Sequence, residues 1–214
     1  MRTAQWSLVA LAIVLAPAVS RAIDLDIDRG DIDRAQRLAR GTNSSRTRFH
    51  ALYVVPVNEP VVERIEVVTE FRRIVRITED RLNQGDRLFA FGLRAAEEAL
   101  RPWKRRVAIV AHLRFGLQTS YMTMPSGEIT IEGPPVDVPS LDVVSLGIYS
   151  GGDSPTLVGG TVEAVFEAAS VGQTVRPVSV RVDRTTRTRV MVDFGRVEEH
   201  QPCIAPSVPG PPGR

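Results

Sequence analysis

Residues 178–194 read VSVRVDRTTRTRVMVDF, and this stretch has the clearest periodicity in the chain. Valines at its first, third and fifth positions alternate with polar residues, and the alternation resumes over 190–194 after a polar turn. A period of two is typical of a strand with one face in the core and one face in solvent. The stretch therefore predicts an antiparallel hairpin in which Val180 points into the core and Arg187 points outward.

The same alternation continues upstream, between glycines and prolines that are typical of turns. Together with the hairpin, these runs predict six or seven short strands over residues 104–198 and favour an antiparallel β-sandwich of immunoglobulin-like architecture. Cys203 is the single cysteine, so the disulfide of immunoglobulin domains is missing and the prediction concerns architecture only. The additional runs lie at 107–115, 118–124, 128–132, 142–149 and 162–168.

Residues 58–82 carry two overlapping patterns. Apolar residues recur at spacings of three or four, and glutamates precede arginines as the helix dipole favours. Ile65, Val67 and Thr69 also alternate, and β-branched residues favour strands. Both interpretations stay open, with helix preferred.

A second helix is predicted over residues 87–101, because four apolar residues share one face before Pro102 ends the element. With 58–82 it would form a helical hairpin in an N-terminal part spanning 23–103. The predicted fold class is therefore α+β, with the helical hairpin packed on the sandwich. The apolar stripe consists of Leu88, Phe91, Ala95 and Ala99.

Residues 1–22 have the features of a cleaved signal peptide. Arg2 provides a positive charge, an apolar run follows over 8–16, and small residues lie at two candidate cleavage sites. The run is about half of the roughly 20 residues that a membrane-spanning helix needs. We therefore expect a periplasmic or secreted protein without a transmembrane span after cleavage.

The charge balance argues against nucleic acid as a partner. The full chain has 27 basic and 25 acidic residues and a net charge of +2. Cleavage after residue 22 removes Arg2 and Arg21 but no acidic residue, which leaves the two signs equal. A neutral protein lacks the electrostatic attraction that general nucleic-acid binding requires.

Residues 199–214 form a Pro-rich tail with little apolar content, predicted to be flexible because it cannot bury enough surface to offset ordering. Cys203 lies in this tail. Since no second cysteine exists within the chain, a disulfide could form only between chains, and whether it does stays open.

Aspartates near the N-terminus are the weak candidates for a metal site. Asp24, Asp26 and Asp28 alternate with apolar residues and would share one strand face, where a hard cation could bridge them. The glycine and glutamate spacing of a calcium loop is missing, with Gly30 in the seventh position and Ala35 in the twelfth. We therefore predict an acidic outward face, a cap at Asp31 for a following helix, and no metal.

No catalytic residue is predicted. His50, His112 and His200 are far apart and match no metal or nucleophile spacing. Phosphate-loop and dinucleotide-binding motifs are missing as well, so no cofactor is expected. A hydrolase would need carboxylates that meet only in the folded chain, and the candidates are Glu97, Glu98, Glu128 and Glu132.

The arginines of the final hairpin suggest an anionic ligand. Their shared outward parity would produce a guanidinium patch suited to sulfate, phosphate or uronate groups. The four residues are Arg181, Arg184, Arg187 and Arg189.

The favoured function is an exported bacterial structural or protein-interaction module of the cell envelope, which contacts an envelope protein through sheet edges, the helical hairpin or the tail. The first alternative is a binding module for anionic glycans or lipid headgroups through the arginine hairpin. The second alternative is a hydrolase.

Overall fold

The computed structural model describes residues 27–86, 88, 92–116, 122–133, 136–151, 155–183 and 186–199. They form an α+β structure with two antiparallel sheets. The helices are α1 (Arg29–Ala39), α2 (Asn43–Ala51), α3 (Glu70–Asn83), α4 (Leu93–Leu100), α5 (Ala168–Val171) and α6 (Phe194–Glu199). The strands are β1 (Val54–Pro56), β2 (Val62–Val68), β3 (Arg106–Arg114), β4 (Gly127–Ile131), β5 (Asp142–Tyr149), β6 (Leu157–Glu167), β7 (Val175–Val182) and β8 (Thr186–Asp193).

The larger sheet has the strand order β1-β2-β3-β6-β5, with β3 at its centre. Ile109 of β3 lies between Val67 of β2 and Ala164 of β6. Strand β5 forms one edge of the sheet and pairs along its whole length with β6. Both faces of β3 are largely buried, which explains why its sequence is almost continuously apolar.

The smaller sheet has the order β4-β7-β8 and contains the predicted hairpin. Val180 is fully buried and lies opposite Thr188 of β8, while Arg187 lies opposite Arg181 with its side chain exposed. The inward position of Val180 and the outward position of Arg187 are therefore confirmed. Strand parity was predictable because one face of this sheet packs on the core and the other meets solvent.

One hydrophobic core joins the two sheets and the helices. It contains Ile109 and Ala164 of the larger sheet, Val180 of the smaller sheet and Ile74 of α3. The sheets approach each other closely at Gly127, where an added Cβ would lie 2.3 Å from a methyl group of Val162. A side chain at Gly127 would have to displace this backbone or Val162, so glycine sets the spacing here.

Residues 58–82 contain a strand and a helix, so the preference for helix throughout was wrong in its first half. Strand β2 is followed at once by α3, and Thr69 separates them by accepting a hydrogen bond from the Arg72 amide as N-cap. The β-branched residues of β2 pair with β3, which decides in favour of a strand. The N-terminal part, residues 23–103, thus contributes β1 and β2 to the larger sheet in addition to its helices.

The helix predicted over residues 87–101 is interrupted at Gly92. Gly92 has an extended backbone and α4 begins only after it. As a result Ala96 and Leu100 are the buried residues of α4, whereas Leu88 is almost fully exposed. Phe91 lies outside the described residues.

The run at 118–124 was predicted to be a strand. Its described residues, 122–124, are not in a strand, and the rest lies outside the described part. Within the described ranges no helix combines the length and the apolar content needed to cross a bilayer.

Candidate functional site

Arginines of the β7–β8 hairpin form ion pairs with Glu128 of β4 and with Glu132, the residue that follows β4. Arg181 Nη1 lies 3.1 Å from Glu128 Oε2. Arg187 Nη2 and Arg189 Nε each lie 2.8 Å from one oxygen of Glu132. Arg184 lies outside the described residues. The described arginines therefore form ion pairs on the outer face of the smaller sheet.

Glu132 is the centre of this surface network. The Ser179 hydroxyl donates a hydrogen bond to its carboxylate, and this bond, reinforced by Arg189 and Arg187, lowers the pKa of Glu132 against a smaller opposing effect of burial. The carboxylate consequently stays ionised near neutral pH. An anionic ligand at this face would have to compete with a charged carboxylate for both arginines.

Three of the four carboxylates considered for a hydrolase, Glu97, Glu128 and Glu132, are bound by arginines. Glu97 Oε1 accepts a hydrogen bond of 2.7 Å from Arg29 Nε, and Glu128 and Glu132 belong to the network above. Glu98 lines, with Glu97 and several basic residues, a cavity of about 450 Å³ beside α1. The ion pairs with arginine stabilise the charges of Glu97, Glu128 and Glu132.

Asp28 serves as the N-cap of α1. Its Oδ1 accepts a hydrogen bond of 2.8 Å from the Asp31 amide, and Asp31 Oδ2 accepts one of 3.1 Å from the Asp28 amide. This reciprocal capping box corrects the prediction that Asp31 is the cap, and it occupies the Asp28 carboxylate with backbone donors. Asp24 and Asp26 lie outside the described residues. Elsewhere in the described ranges, no three His, Cys, Asp or Glu side chains form a potential metal site.

A buried charge cluster that the sequence did not predict surrounds Glu66 of β2. The carboxylate of Glu66 lies 3.0 Å from Arg72 Nη2 and 3.7 Å from Arg76 Nη1, both on α3. On the sheet it lies 2.9 Å from His112 Nε2 of β3 and 3.3 Å from Arg64 Nε. One buried carboxylate thus links β2, β3 and α3. We call these five residues the Glu66 cluster.

Arg72 is the most buried cation of the Glu66 cluster, with 2% of its surface exposed. Its Nη1 donates a hydrogen bond of 2.7 Å to the Val67 carbonyl, and its guanidinium stacks 5.1 Å from the centre of the Tyr53 ring. Burial raises the pKa of Tyr53 to about 12, although Arg72 partly opposes this rise. Arg72 therefore satisfies a carboxylate, a backbone carbonyl and an aromatic face at once.

His50 of α2 extends the Glu66 cluster outward. Arg72 Nε donates to His50 Nδ1 at 3.5 Å, and His50 Nε2 lies 3.0 Å from Glu79 Oε2. His112 is placed in the same way, with Nδ1 3.1 Å from Arg64 Nη2 and Nε2 facing Glu66. In both imidazoles Nδ1 therefore faces an arginine and Nε2 faces a carboxylate.

A cavity of about 680 Å³ beside the Glu66 cluster is lined by polar side chains of α2 and α3. Arg46 lies in it, with its Nε 3.8 Å from Glu79 Oε1. Of the other lining residues, Arg72 and Arg76 pair with Glu66. This arrangement can hold α2 and α3 against the sheet.

Acid is expected to destabilise the protein through Glu66. Burial alone would raise its pKa, but His112, Arg72 and Arg76 outweigh burial and lower the pKa from 4.5 to about 2. Because the folded value is the lower one, the ionised carboxylate stabilises the fold fully above about pH 4.5, and this contribution disappears as the pH falls through about 2. Urea unfolding of the wild type and the Glu66→Gln variant across this window tests the prediction. The variant should lose less stability than the wild type, and identical losses would contradict the assignment.

Strand β5, at the edge of the larger sheet, carries several exposed apolar residues. Val144, Leu146 and Ile148 share one face of this strand and are all exposed, with 63% of Leu146 accessible. Asp142 at its first position is the strand's one charged residue. Among the described residues no strand pairs with the outer side of β5. Edge strands are usually protected by charged residues, proline or a covering element, so β5 has the properties of a strand-pairing site.

No protein-family model matches the sequence, and a search of curated proteins finds no match.

Proposed function

We propose that this protein is an exported bacterial structural or protein-interaction module of the cell envelope, located in the periplasm or secreted, and that it binds its protein partner through β5. The exposed apolar edge of β5 is the observation that carries this proposal. The signal-peptide pattern of residues 1–22 supports the location.

Strand addition is the binding mode that the β5 edge favours. An extended partner segment would pair with the backbone amides and carbonyls on the outer side of β5, which supplies affinity. Val144, Leu146 and Ile148 would contact apolar side chains of that segment, which supplies specificity. Both contributions require a strand that is exposed before binding.

The alternatives from the sequence have less support. An anionic glycan or lipid headgroup would have to separate Arg187 and Arg189 from Glu132. A hydrolase that uses Glu97, Glu128 or Glu132 would first have to break the ion pairs of these residues with arginine. The finer architecture, an immunoglobulin-like sandwich preceded by a helical hairpin, stays a prediction.

Lysine substitution in β5 is expected to weaken the binding of the protein partner. The mature protein serves as bait in an envelope extract of the native host, and captured proteins are identified by mass spectrometry and titrated as purified proteins. Leu146→Lys places a charge in the β5 edge. It should weaken binding more than about tenfold, because the leucine side chain would be buried against the partner in the complex. Since Leu146 is exposed in the free protein, its stability should change by less than about 0.5 kcal/mol.

Met191→Lys is the matched control. Met191 lies in the edge strand β8 of the smaller sheet and is 55% exposed, so the two variants add the same charge to similarly exposed positions. Capture should survive Met191→Lys. Equal capture by the wild type and Leu146→Lys would refute the β5 site, and equal loss in both variants would indicate a general charge effect.

A further inference from the structure

We infer that the protein partner at β5 is a second copy of this chain, so that two larger sheets join edge to edge in a two-fold symmetric dimer. This inference rests on the proposed function, because it names the occupant of the same strand. The argument comes from the order of residues along β5, which is complementary to itself when the strand is reversed.

A two-fold axis perpendicular to the sheet pairs two β5 strands antiparallel and keeps each side chain on its own face. With the axis at Leu146, this residue lies opposite Leu146 of the second copy. Val144 then lies opposite Ile148, and Ile148 opposite Val144. Six exposed aliphatic side chains, three from each copy, would meet on one face of the joined sheet.

The same register is favourable on the other face and at the strand ends. Ser145 lies opposite Gly147, so small residues meet there. Asp142 lies opposite Ser150, and the two Asp142 carboxylates are separated by about 27 Å along the strand direction. No like charges are opposed. A parallel arrangement would place the two aspartates side by side, which disfavours it.

The backbone also fits this symmetry. In an antiparallel ladder, alternate residues of an edge strand direct their amide and carbonyl groups away from the sheet. The register pairs even-numbered residues with even-numbered ones, so the outward groups of one copy meet those of the other. Because residues 23–214 carry as many acidic as basic residues, net charge does not oppose self-association.

The composition of β5 favours a copy of itself over a charged foreign segment. Specific recognition of a different chain is usually enforced by charges that repel wrong partners. Strand β5 has one charge, Asp142, at its end. Its central positions carry only apolar residues, serine and glycine, and these match their own reversed order.

Sedimentation equilibrium of the mature full-length protein, in reducing buffer so that Cys203 cannot cross-link chains, tests the dimer. We expect a concentration-dependent dimer whose dissociation constant rises more than about tenfold in Leu146→Lys, because two lysines would face each other across the axis. Met191→Lys should dimerise like the wild type. A wild type that stays monomeric up to its solubility limit overturns the inference.

Mixing two charge variants tests the register itself. Leu146→Lys and Leu146→Glu should each be monomeric alone, whereas an equimolar mixture should form a heterodimer, because position 146 of one chain meets position 146 of the other. As a second measurement, Leu146→Cys in a Cys203→Ser background should oxidise to a covalent dimer, and Met191→Cys in the same background should not. If the wild type dimerises but the charge variants form no heterodimer and Leu146→Cys forms no covalent dimer, this register is wrong.

The outcomes separate this inference from the proposed function. If tagged and untagged copies do not associate, but a different envelope protein is captured by the wild type and lost with Leu146→Lys, the second copy is the wrong occupant and the β5 site is correct. If neither association depends on Leu146, both proposals fail.

Discussion

Replacement of Val180 by aspartate is expected to eliminate the cooperative thermal transition of this protein. Val180 is fully buried between Ile129 of β4 and Thr188 of β8, within the core shared by both sheets. A carboxylate there must stay charged without a partner or take up a proton, and either outcome costs several kcal/mol. Typical domains are stable by only about 5 to 15 kcal/mol. Circular dichroism during heating measures the loss.

Arg187→Ala is the matched control on the neighbouring strand. The side chain of Arg187 is exposed, and Glu132 keeps its contacts with Arg189 and Ser179 when Arg187 is shortened. We expect the free energy of unfolding to change by about 0.5 kcal/mol or less. Similar destabilisation by both substitutions would mean that the inward and outward faces of the hairpin are wrongly assigned.

Replacement of Arg72 by methionine is expected to lower the free energy of unfolding by about 3 kcal/mol. Methionine keeps much of the apolar stem but removes the guanidinium that contacts Glu66 and the Val67 carbonyl. Breaking a buried ion pair from one side typically costs about 3 to 5 kcal/mol, and the remaining cations of the Glu66 cluster place this case at the lower end. Urea denaturation at neutral pH gives the value.

Arg76→Met provides the comparison on the same helix. Arg76 contacts the same carboxylate at 3.7 Å, but its side chain is largely exposed, so its removal should cost less than about 1 kcal/mol. A double-mutant cycle of Arg72→Met with Glu66→Gln should show coupling between the two residues. Equal costs for Arg72→Met and Arg76→Met would indicate that burial does not determine the strength of the Glu66 contacts.

Strand parity in the final hairpin was predictable because it depends on neighbours in sequence. Successive side chains of β7 point to opposite faces of the sheet, and the face that each residue takes is visible in the sequence as valines at 178, 180 and 182 and an arginine at 181. The division of residues 58–82 was not predictable in the same way. Apolar spacings of three and four fit both a helix and an irregular strand, and pairing with β3, distant in sequence, decides the outcome.

The polar contacts of the Glu66 cluster and of the arginine hairpin were even less predictable from sequence, because they join residues that are distant along the chain. Glu66, Arg72 and His112 meet because β2, β3 and α3 pack together, and no spacing motif connects them. The arginine hairpin was recognisable from its parity. The neutralisation of its arginines was not predictable, because the partners come from outside the hairpin: Glu128 lies in β4, and Glu132 directly follows β4. The charge pattern within one hairpin does not show which charges a third strand places beside it in the folded sheet.

The order of pairing in the larger sheet has a consequence for how the chain reaches its native state. Strands β5 and β6 are adjacent in sequence and can form a hairpin early, whereas β3 must pair with β2 and β6 across long chain separations. Folding rates decrease as contacts become more distant in sequence. If the β5–β6 hairpin forms before β3 pairs with β6, its apolar residues would be open to other chains, and collisions between chains would compete with intramolecular pairing. Recovery of native protein from denaturant should therefore depend mainly on how dilute the chains are.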